Sequence, residues 1–310
     1  MERYTFTVFT PTYNRAYTLP RVYASLKAQT FQNFEWLIVD DGSTDGTRAL
    51  VQHWQDGQLR IDYIWQENSG KHIALNRAVQ RARGELFLVL DSDDACVPEA
   101  LERFLAHWMA IEPTERQRFV GVTSLCKDLQ GRLVGTRFPT DIWDANSLEY
   151  YYRSRVIGEK WGFQRVDILR QFPFPAIPHT YIGESLVWKR IAKCYQTRFV
   201  NEELRIYDVP PNGYRAWRSS ASGRAVGAQI LYQSNLNEHL RWTKYKPWSF
   251  VLSAIGYCRY GFYLRQSLKE QWRGLQGWAK ILWVLCVLAG WGIYWVHDRH
   301  DRAHPECTEP

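Results

Sequence analysis

Three carboxylates fall within four positions in Asp91-Ser92-Asp93-Asp94, directly after the apolar run Leu86–Leu90. A solidly apolar run of that length reads as a strand buried on both faces, so the acids sit where the chain has just left a sheet. Like charges this close repel one another unless a cation or a proton intervenes. Oxygen-only ligands favour a hard divalent ion, Mn²⁺ or Mg²⁺, with water and substrate phosphate completing the shell. The bland alternative is a polar cap for the helix that Pro98 opens, running through Ile111.

Two other polar clusters stand at corresponding places. Phe6–Thr10 is a β-type run broken by Pro11 and followed by Thr12-Tyr13-Asn14-Arg15. Trp36–Val39 runs into Asp40-Asp41-Gly42-Ser43-Thr44-Asp45-Gly46. Between them, Leu19, Val22 and Leu26 recur at helical spacing, and Thr47–Trp54 reads as a second helix behind good capping residues. Ile61–Trp65 is a third strand. Asn68-Ser69-Gly70 opens a helix over about Lys71–Ala82 that turns Ile73, Leu75 and Val79 to a sheet. This alternation predicts an α/β fold, a Rossmann-like, mostly parallel sheet with flanking helices and right-handed crossovers. Such sheets bind ligands at the carboxyl ends of their strands, so the three clusters are expected to converge on one crevice. No Gly-x-Gly-x-x-Gly and no Gly-x-x-x-x-Gly-Lys-Ser/Thr is present, which disfavours dinucleotide-binding and P-loop chemistry.

The three motifs together resemble the family 2 glycosyltransferases, inverting enzymes of the GT-A fold that use nucleotide-sugar donors. The similarity is strong over about Thr5–Phe104 and weaker to about Tyr207. The resemblance implies that Pro11, Thr12 and Tyr13 touch base and ribose, and that Asp41 accepts from the uracil N3–H of a UDP-sugar. It implies that Asp91 lies near ribose and sugar, with Asp91 and Asp93 serving a metal on the diphosphate. The family often carries Ala-Arg-Asn on the third helix; here the run is Ala74-Leu75-Asn76, so contact with base or phosphate passes to Lys71 or Asn76. Lys71, at a helix start, suits an anion in any case. An inverting transfer needs a carboxylate to take the acceptor proton. The family's Glu-Asp pair becomes Glu184-Ser185, which gives the role to Glu184, with Glu159 in reserve. The rival reading is a catalytically silent nucleotide-sugar-binding or scaffold protein.

Composition frames these expectations. At 310 residues, 45% hydrophobic and 23% charged, the chain suits a main domain with an extension and excludes disorder over most of its length. Six scattered cysteines without a Cys-x-x-Cys exclude a zinc ribbon and fit a reducing compartment. The start lacks a basic head, long apolar run and cleavage site, so no secretory signal is expected. Residues 1–210 hold 26 Lys and Arg against 26 Asp and Glu, whereas residues 211–310 hold 13 against 6 and eight of the 15 Trp. The division expected is therefore a GT-A catalytic domain over 1–210 and a basic, Trp-rich helical extension over 211–310.

Within that extension, Ile281–Val296 is apolar or small throughout, about 24 Å of helix and short of a hydrocarbon core of roughly 30 Å. Phe250–Leu264 is a second apolar stretch, interrupted by Arg259, and basic residues flank both. Trp and basic side chains together favour the headgroup layer. Residues 245–296 are thus expected to seat the protein on the cytoplasmic face of the inner membrane, peripheral or monotopic, close to a glycan or lipid-linked saccharide acceptor. Alternatives are a short span, a re-entrant hairpin, or a helical pair packed within a homodimer. Nucleic acid is not an expected partner, because aliphatic runs of this length are foreign to such tails.

Overall fold

The structure is a computed structural model that describes residues 3–55, 59–208 and 224–303. The boundary expected at 210/211, Trp217, Cys307 and the side chains of Arg299 and Arg302 lie outside the described residues. The chain forms two compact units: residues 1–178 with 187–210, and residues 179–186 with 211–310. Against the division expected from charge, the short segment carrying Glu184 goes with the second unit.

The first unit is built on one nine-stranded sheet. Its first half alternates as β1 (Tyr4–Thr12), α1 (Leu19–Lys27), β2 (Phe34–Asp40), α2 (Thr47–Trp54), β3 (Ile61–Trp65), α3 (Lys71–Arg81) and β4 (Gly84–Val89). Strands β3, β2, β1 and β4 lie side by side, all parallel. Leu19, Val22 and Leu26 of α1 and Val51 and Trp54 of α2 are buried on that sheet, each side chain contributing about 1.5–3 kcal/mol. Trp54 stacks on Tyr23 with ring centroids 4.5 Å apart. Pro11 stays inside β1 opposite Val39, but pairing with β4 has already ended at Phe9 and Val89. A residue without an N–H is tolerated where the ladder stops on one side.

The second half consists of β5 (Ala95–Cys96), α4 (Ala100–Met109), β6 (Phe119–Lys127), β7 (Ile142–Ala145), α5 (Ser147–Tyr152), β8 (Lys160–Arg165), α6 (Val166–Leu169), α7 (Ser185–Ile191, whose first two residues go with the second unit) and β9 (Gln196–Ile206). Here the sheet departs from the parallel pattern. Strand β8 runs antiparallel to both β4 and β6, while β6 and β9 are parallel. Phe104, Trp108 and Phe163 pack edge-on beneath this junction. Pairing of β5 with β9 brings Cys96 opposite Arg205, which sets Arg205 beside the loop that follows β4.

At the far end of the sheet, the Glu35 carboxylate is buried and accepts from Thr7 Oγ1 at 2.6 Å, Arg83 N at 2.7 Å and Arg83 Nε at 2.6 Å. On β9, Glu202 accepts from Arg103 and lies 2.6 Å from His107 Nε2. The Arg103 hydrogen bond, working against partial burial, holds the Glu202 carboxyl down at about 2. A depressed folded value means stability present above about 4.5 and lost as pH falls toward 2. Glu202→Gln is therefore expected to cost about 1 kcal/mol at pH 7, after discount for a side chain 28% exposed. Urea unfolding should show that difference shrinking at pH 3.

The second unit is helical: α8 (Ala225–Glu238), α9 (Pro247–Tyr263), α10 (Leu268–Arg273) and α11 (Trp278–Ala303). A Ser267–Glu270 capping box opens α10. Leu236, Ala254, Tyr257, Leu275 and Trp283 form its core. A Cβ on Gly290 would stand 2.4 Å from the Cβ of Cys258, so the close approach of α11 to α9 requires glycine there. Likewise, a Cβ on Gly227 would meet the Tyr181 carbonyl at 1.8 Å, which shows how tightly the segment 179–186 lies on α8.

Candidate active site at the carboxyl ends of the parallel strands

The loops after β1 and β2 are locked together by Asn14. Its Oδ1 accepts from Thr44 N at 2.8 Å and Asp45 N at 3.3 Å, while Asn14 N donates to Ser43 Oγ at 2.8 Å. Asp45 returns the contact by accepting from Ala16 N at 3.0 Å. Asn14 sits at φ 51°, a left-handed conformation that asparagine tolerates better than most residues. Asn14→Ala is expected to lose about 2 kcal/mol in thermal or urea unfolding, and Asn14→Gly about half of that, since glycine restores the backbone but not the bonds.

Asp41 N donates to Thr12 O at 2.8 Å, which ties the second loop to the first. The Asp41 carboxylate in turn fastens the third: Oδ1 accepts from Gln66 Nε2 at 2.7 Å and Ser69 N at 2.8 Å, and Oδ2 from Gly70 N at 2.8 Å. Gly70, at φ 105°, supplies the turn into α3. With two bonds on Oδ1 and one on Oδ2, a lone pair on Oδ2 is left for an N–H donor. Thr12 is buried and its Oγ1 has no hydrogen-bond partner among the described residues, a polar group able to pair with a ligand. Pro11 is buried beside it and Tyr13 is exposed.

The acids after β4 are not equivalent. Lys71 Nζ donates to Asp91 Oδ1 at 2.7 Å and Arg205 Nη2 to Asp91 Oδ2 at 3.2 Å. Arg205 also grips Asp94, which is almost fully buried. Burial alone would raise the Asp91 carboxyl, but Lys71 and Arg205 hold it down at about 2. Asp94 moves the other way: burial, with Asp91 and Asp93 nearby, pushes it up to about 7 against the pull of Arg205. Burial would lower the Arg205 guanidinium, yet the two carboxylates raise it. The cation expected between the acids is thus supplied in part by the chain itself. Asp91, expected as a metal ligand, has both oxygens on side-chain cations. Asp93 differs, with a side chain 40% exposed and its nearest described cation Arg15 Nη2 at 3.9 Å.

The donor set therefore fits a hard divalent ion at Asp93, an accessible carboxylate with oxygens to share. Among the described residues no group of three or more His, Cys, Asp or Glu is disposed to hold a metal. Such an ion would lean on one protein carboxylate and draw its remaining oxygens from diphosphate and water.

The other expected residues are distributed unevenly. Lys71 is at the site, on Asp91. Asn76 is not offered to a ligand: its Nδ2 donates to Phe174 O and its Oδ1 accepts from Phe174 N, both at 2.9 Å. Glu159 is exposed on the first unit. The Tyr207 phenol is raised by burial and then by the charges of Glu159, Asp94 and Asp93, so Glu159 and the acid cluster share a neighbourhood. Glu184 is half-buried just ahead of α7, within the second unit. Sequence reasoning missed Arg205 and the interlock at Asn14. Only the polar turn Thr12–Arg15 signalled the latter.

Residues 7–114 match the description of glycosyl transferase family 2. This segment is a family 2 glycosyltransferase domain. Its interlocked loops and acid cluster, as far as Asp94, all fall within those residues. TuaG of Bacillus subtilis (strain 168), named for teichuronic acid biosynthesis, is 36% identical over 122 residues, 39% of this chain and 48% of its own. The GalNAc(5)-diNAcBac-PP-undecaprenol beta-1,3-glucosyltransferase of Campylobacter jejuni is 33% identical over 211 residues, 65% of this chain and 64% of its own. The chain thus spans about half of the one relative and less than two thirds of the other. Among solved structures, TarS 1–349 of S. aureus in complex with UDP-GlcNAc aligns at TM-score 0.56 and 21% identity, covering 91% of this chain and 79% of that one. The mannosyltransferase PcManGT of Pyrobaculum calidifontis, in complex with GDP-Man and Mn²⁺, aligns at 0.54 and 23%, covering 87% and 78%. These likenesses show that the glycosyltransferase domain has the GT-A fold.

Proposed function

We propose that the protein transfers a sugar, with inversion, from a nucleotide-sugar donor of the UDP class to a glycan or lipid-linked saccharide in polysaccharide biosynthesis. The observation that carries this reading is the interlock of the three strand-end loops, through Asn14 and Asp41, within a domain of this family. Base and ribose would lie on Pro11, Thr12 and Tyr13, with the remaining Asp41 Oδ2 lone pair accepting the base N–H. A divalent ion, Mn²⁺ or Mg²⁺, would be held by Asp93 and would neutralise charge on the diphosphate as it leaves. Lys71 places a second positive charge beside it, at the start of α3, and Asp91 fixes that ammonium. Glu184 takes the acceptor proton as the hydroxyl attacks the anomeric carbon, with Glu159 the alternative base. The lipid-linked acceptor named for the Campylobacter relative, together with the exposed apolar helix α11, supports work at the cytoplasmic face of a membrane.

Purified full-length protein, screened against a panel of UDP-, GDP- and dTDP-sugars with Mn²⁺, should turn over one donor class. Glu184→Gln is expected to lower transfer by about 10²–10⁴-fold while leaving nucleotide affinity unchanged. The same loss in Glu159→Gln alone moves the base there. Tight nucleotide binding with no turnover under any donor and acceptor identifies a silent binder instead.

A further inference from the structure

The second unit carries buried polar side chains beside its apolar core and an apolar helix face on its outside. Buried inside it are Gln229, Ser234, Asn235, Ser253 and Gln271, held by bonds such as Trp283 Nε1 to Gln271 Oε1 at 3.1 Å and Tyr257 OH to Gln271 O at 2.9 Å. Exposed on its outside are Trp278 (76%), Leu285 (75%) and Leu288 (79%), with Ile281, Val284 and Trp291 beside them. Among the described residues of α11 only Ala279, Trp283, Cys286 and Gly290 are buried, a narrow stripe along the helix. A water-facing helix carries polar residues on its outer face, whereas this one is apolar on both faces. Trp278–His297 is apolar enough, and at 20 residues long enough, to cross a bilayer by composition and length.

The packing argues against a crossing. Cys258 of α9 meets Gly290, and four or five residues further on both helices Tyr263 meets Tyr294, with ring centroids 4.9 Å apart. The two helices therefore run in the same direction, so the chain between them must return along their length. It does so through α10, whose Gln271 lies on Gly261 and Trp283. Lys269, Glu270 and Arg273 of α10 are exposed at that level, and Arg259 of α9 lies near it as well. If α11 stood across a bilayer, these charges would lie within hydrocarbon, where ionised side chains are strongly disfavoured.

We infer that the second unit lies flat on an anionic lipid surface, with the α11 axis in the membrane plane. The face of Ile281, Leu285 and Leu288 sinks about 5–10 Å to the acyl boundary, and α10 stays at the headgroups or in water. Residues 239–297 hold eight Lys and Arg against one acid, Glu270, which fits anionic headgroups as the partner. This orientation rests on the membrane seating proposed above and adds to it.

The test uses full-length protein in a Cys194→Ser, Cys307→Ser background, because Cys96, Cys126, Cys258 and Cys286 are buried. Single nitroxide labels go to Ile281→Cys, Leu285→Cys, Leu288→Cys and Trp295→Cys, and their depth is read on vesicles of equimolar phosphatidylglycerol and phosphatidylcholine. The expected result is one shared depth for all four. Depths graded along the helix, across about 20 Å, overturn the flat orientation while leaving membrane seating intact. Labels that stay in water, or that are shielded in a dimer without lipid contact, overturn the seating itself. Leu285→Glu with Leu288→Glu, both at exposed positions, should weaken vesicle binding at least about tenfold. Binding to pure phosphatidylcholine as tight as to the mixture overturns the anionic partner. Donor turnover, measured separately, decides the reaction and is untouched by these outcomes.

Discussion

Asp93→Asn is expected to lower sugar transfer by about 10²–10³-fold and to abolish its response to Mn²⁺, with no measurable change in stability. The scale is that of removing one electrostatic contact to a leaving group. The neutral amide keeps the size of the side chain but loses the charge that would fix a divalent ion. Stability should hold because the Asp93 side chain is 40% exposed and its nearest described cation is 3.9 Å away; changes at such positions usually stay within about 0.5 kcal/mol. Asp91→Asn makes the contrast, since it strips a paired carboxylate from Lys71 and Arg205 and should lower stability and activity together. Steady-state kinetics over a Mn²⁺ series, paired with thermal unfolding of both variants, checks the difference. Equal unfolding losses in the two would show that Asp93 is a structural acid after all.

Arg205→Met should strongly destabilise the first unit. It leaves Asp94 buried without its guanidinium and removes one of the two cations on Asp91. Breaking a buried pair from one side typically costs about 3–5 kcal/mol. The deficit should depend on pH with a definite sign. The Asp94 carboxyl is already raised by burial, to about 7, and loss of the arginine raises it further. An acid whose folded value exceeds its unfolded value of 3.8 gains stability as pH falls toward 4. Urea unfolding should therefore show a large deficit at pH 8 and a smaller one at pH 5. A deficit constant across that range would mean that packing, not charge, is what Arg205 supplies.

The parts legible in the sequence were those whose partners are close along the chain. Apolar runs ending in polar turns gave the parallel strands, and the turn after Pro11 gave the first loop. Arg205 was out of reach because it joins Asp94 across 111 positions, and a lone arginine in a strand carries no local signature. Asn76 failed for a related reason, since the Phe174 backbone that occupies its amide lies 98 positions away. Strand β8 escaped because antiparallel insertion beside β4 depends on tertiary pairing rather than on period. In the extension, the apolar run counted to 16 residues, yet the helix continues on both sides of it, from Trp278 to Ala303. Its buried polar side chains could not be read from periodicity, because glutamines and an asparagine look like surface residues in one dimension.

The clasp of Asn14 and Asp41 has a thermodynamic corollary. Segments that already satisfy one another leave little chain entropy to be lost when a nucleotide arrives. Calorimetric titration of the donor should accordingly give a heat-capacity change no larger than contact burial requires, without the added increment of coupled folding. Releasing the clasp with Asn14→Ala should restore that increment, making the association heat more negative while weakening the affinity by the cost of ordering the loops.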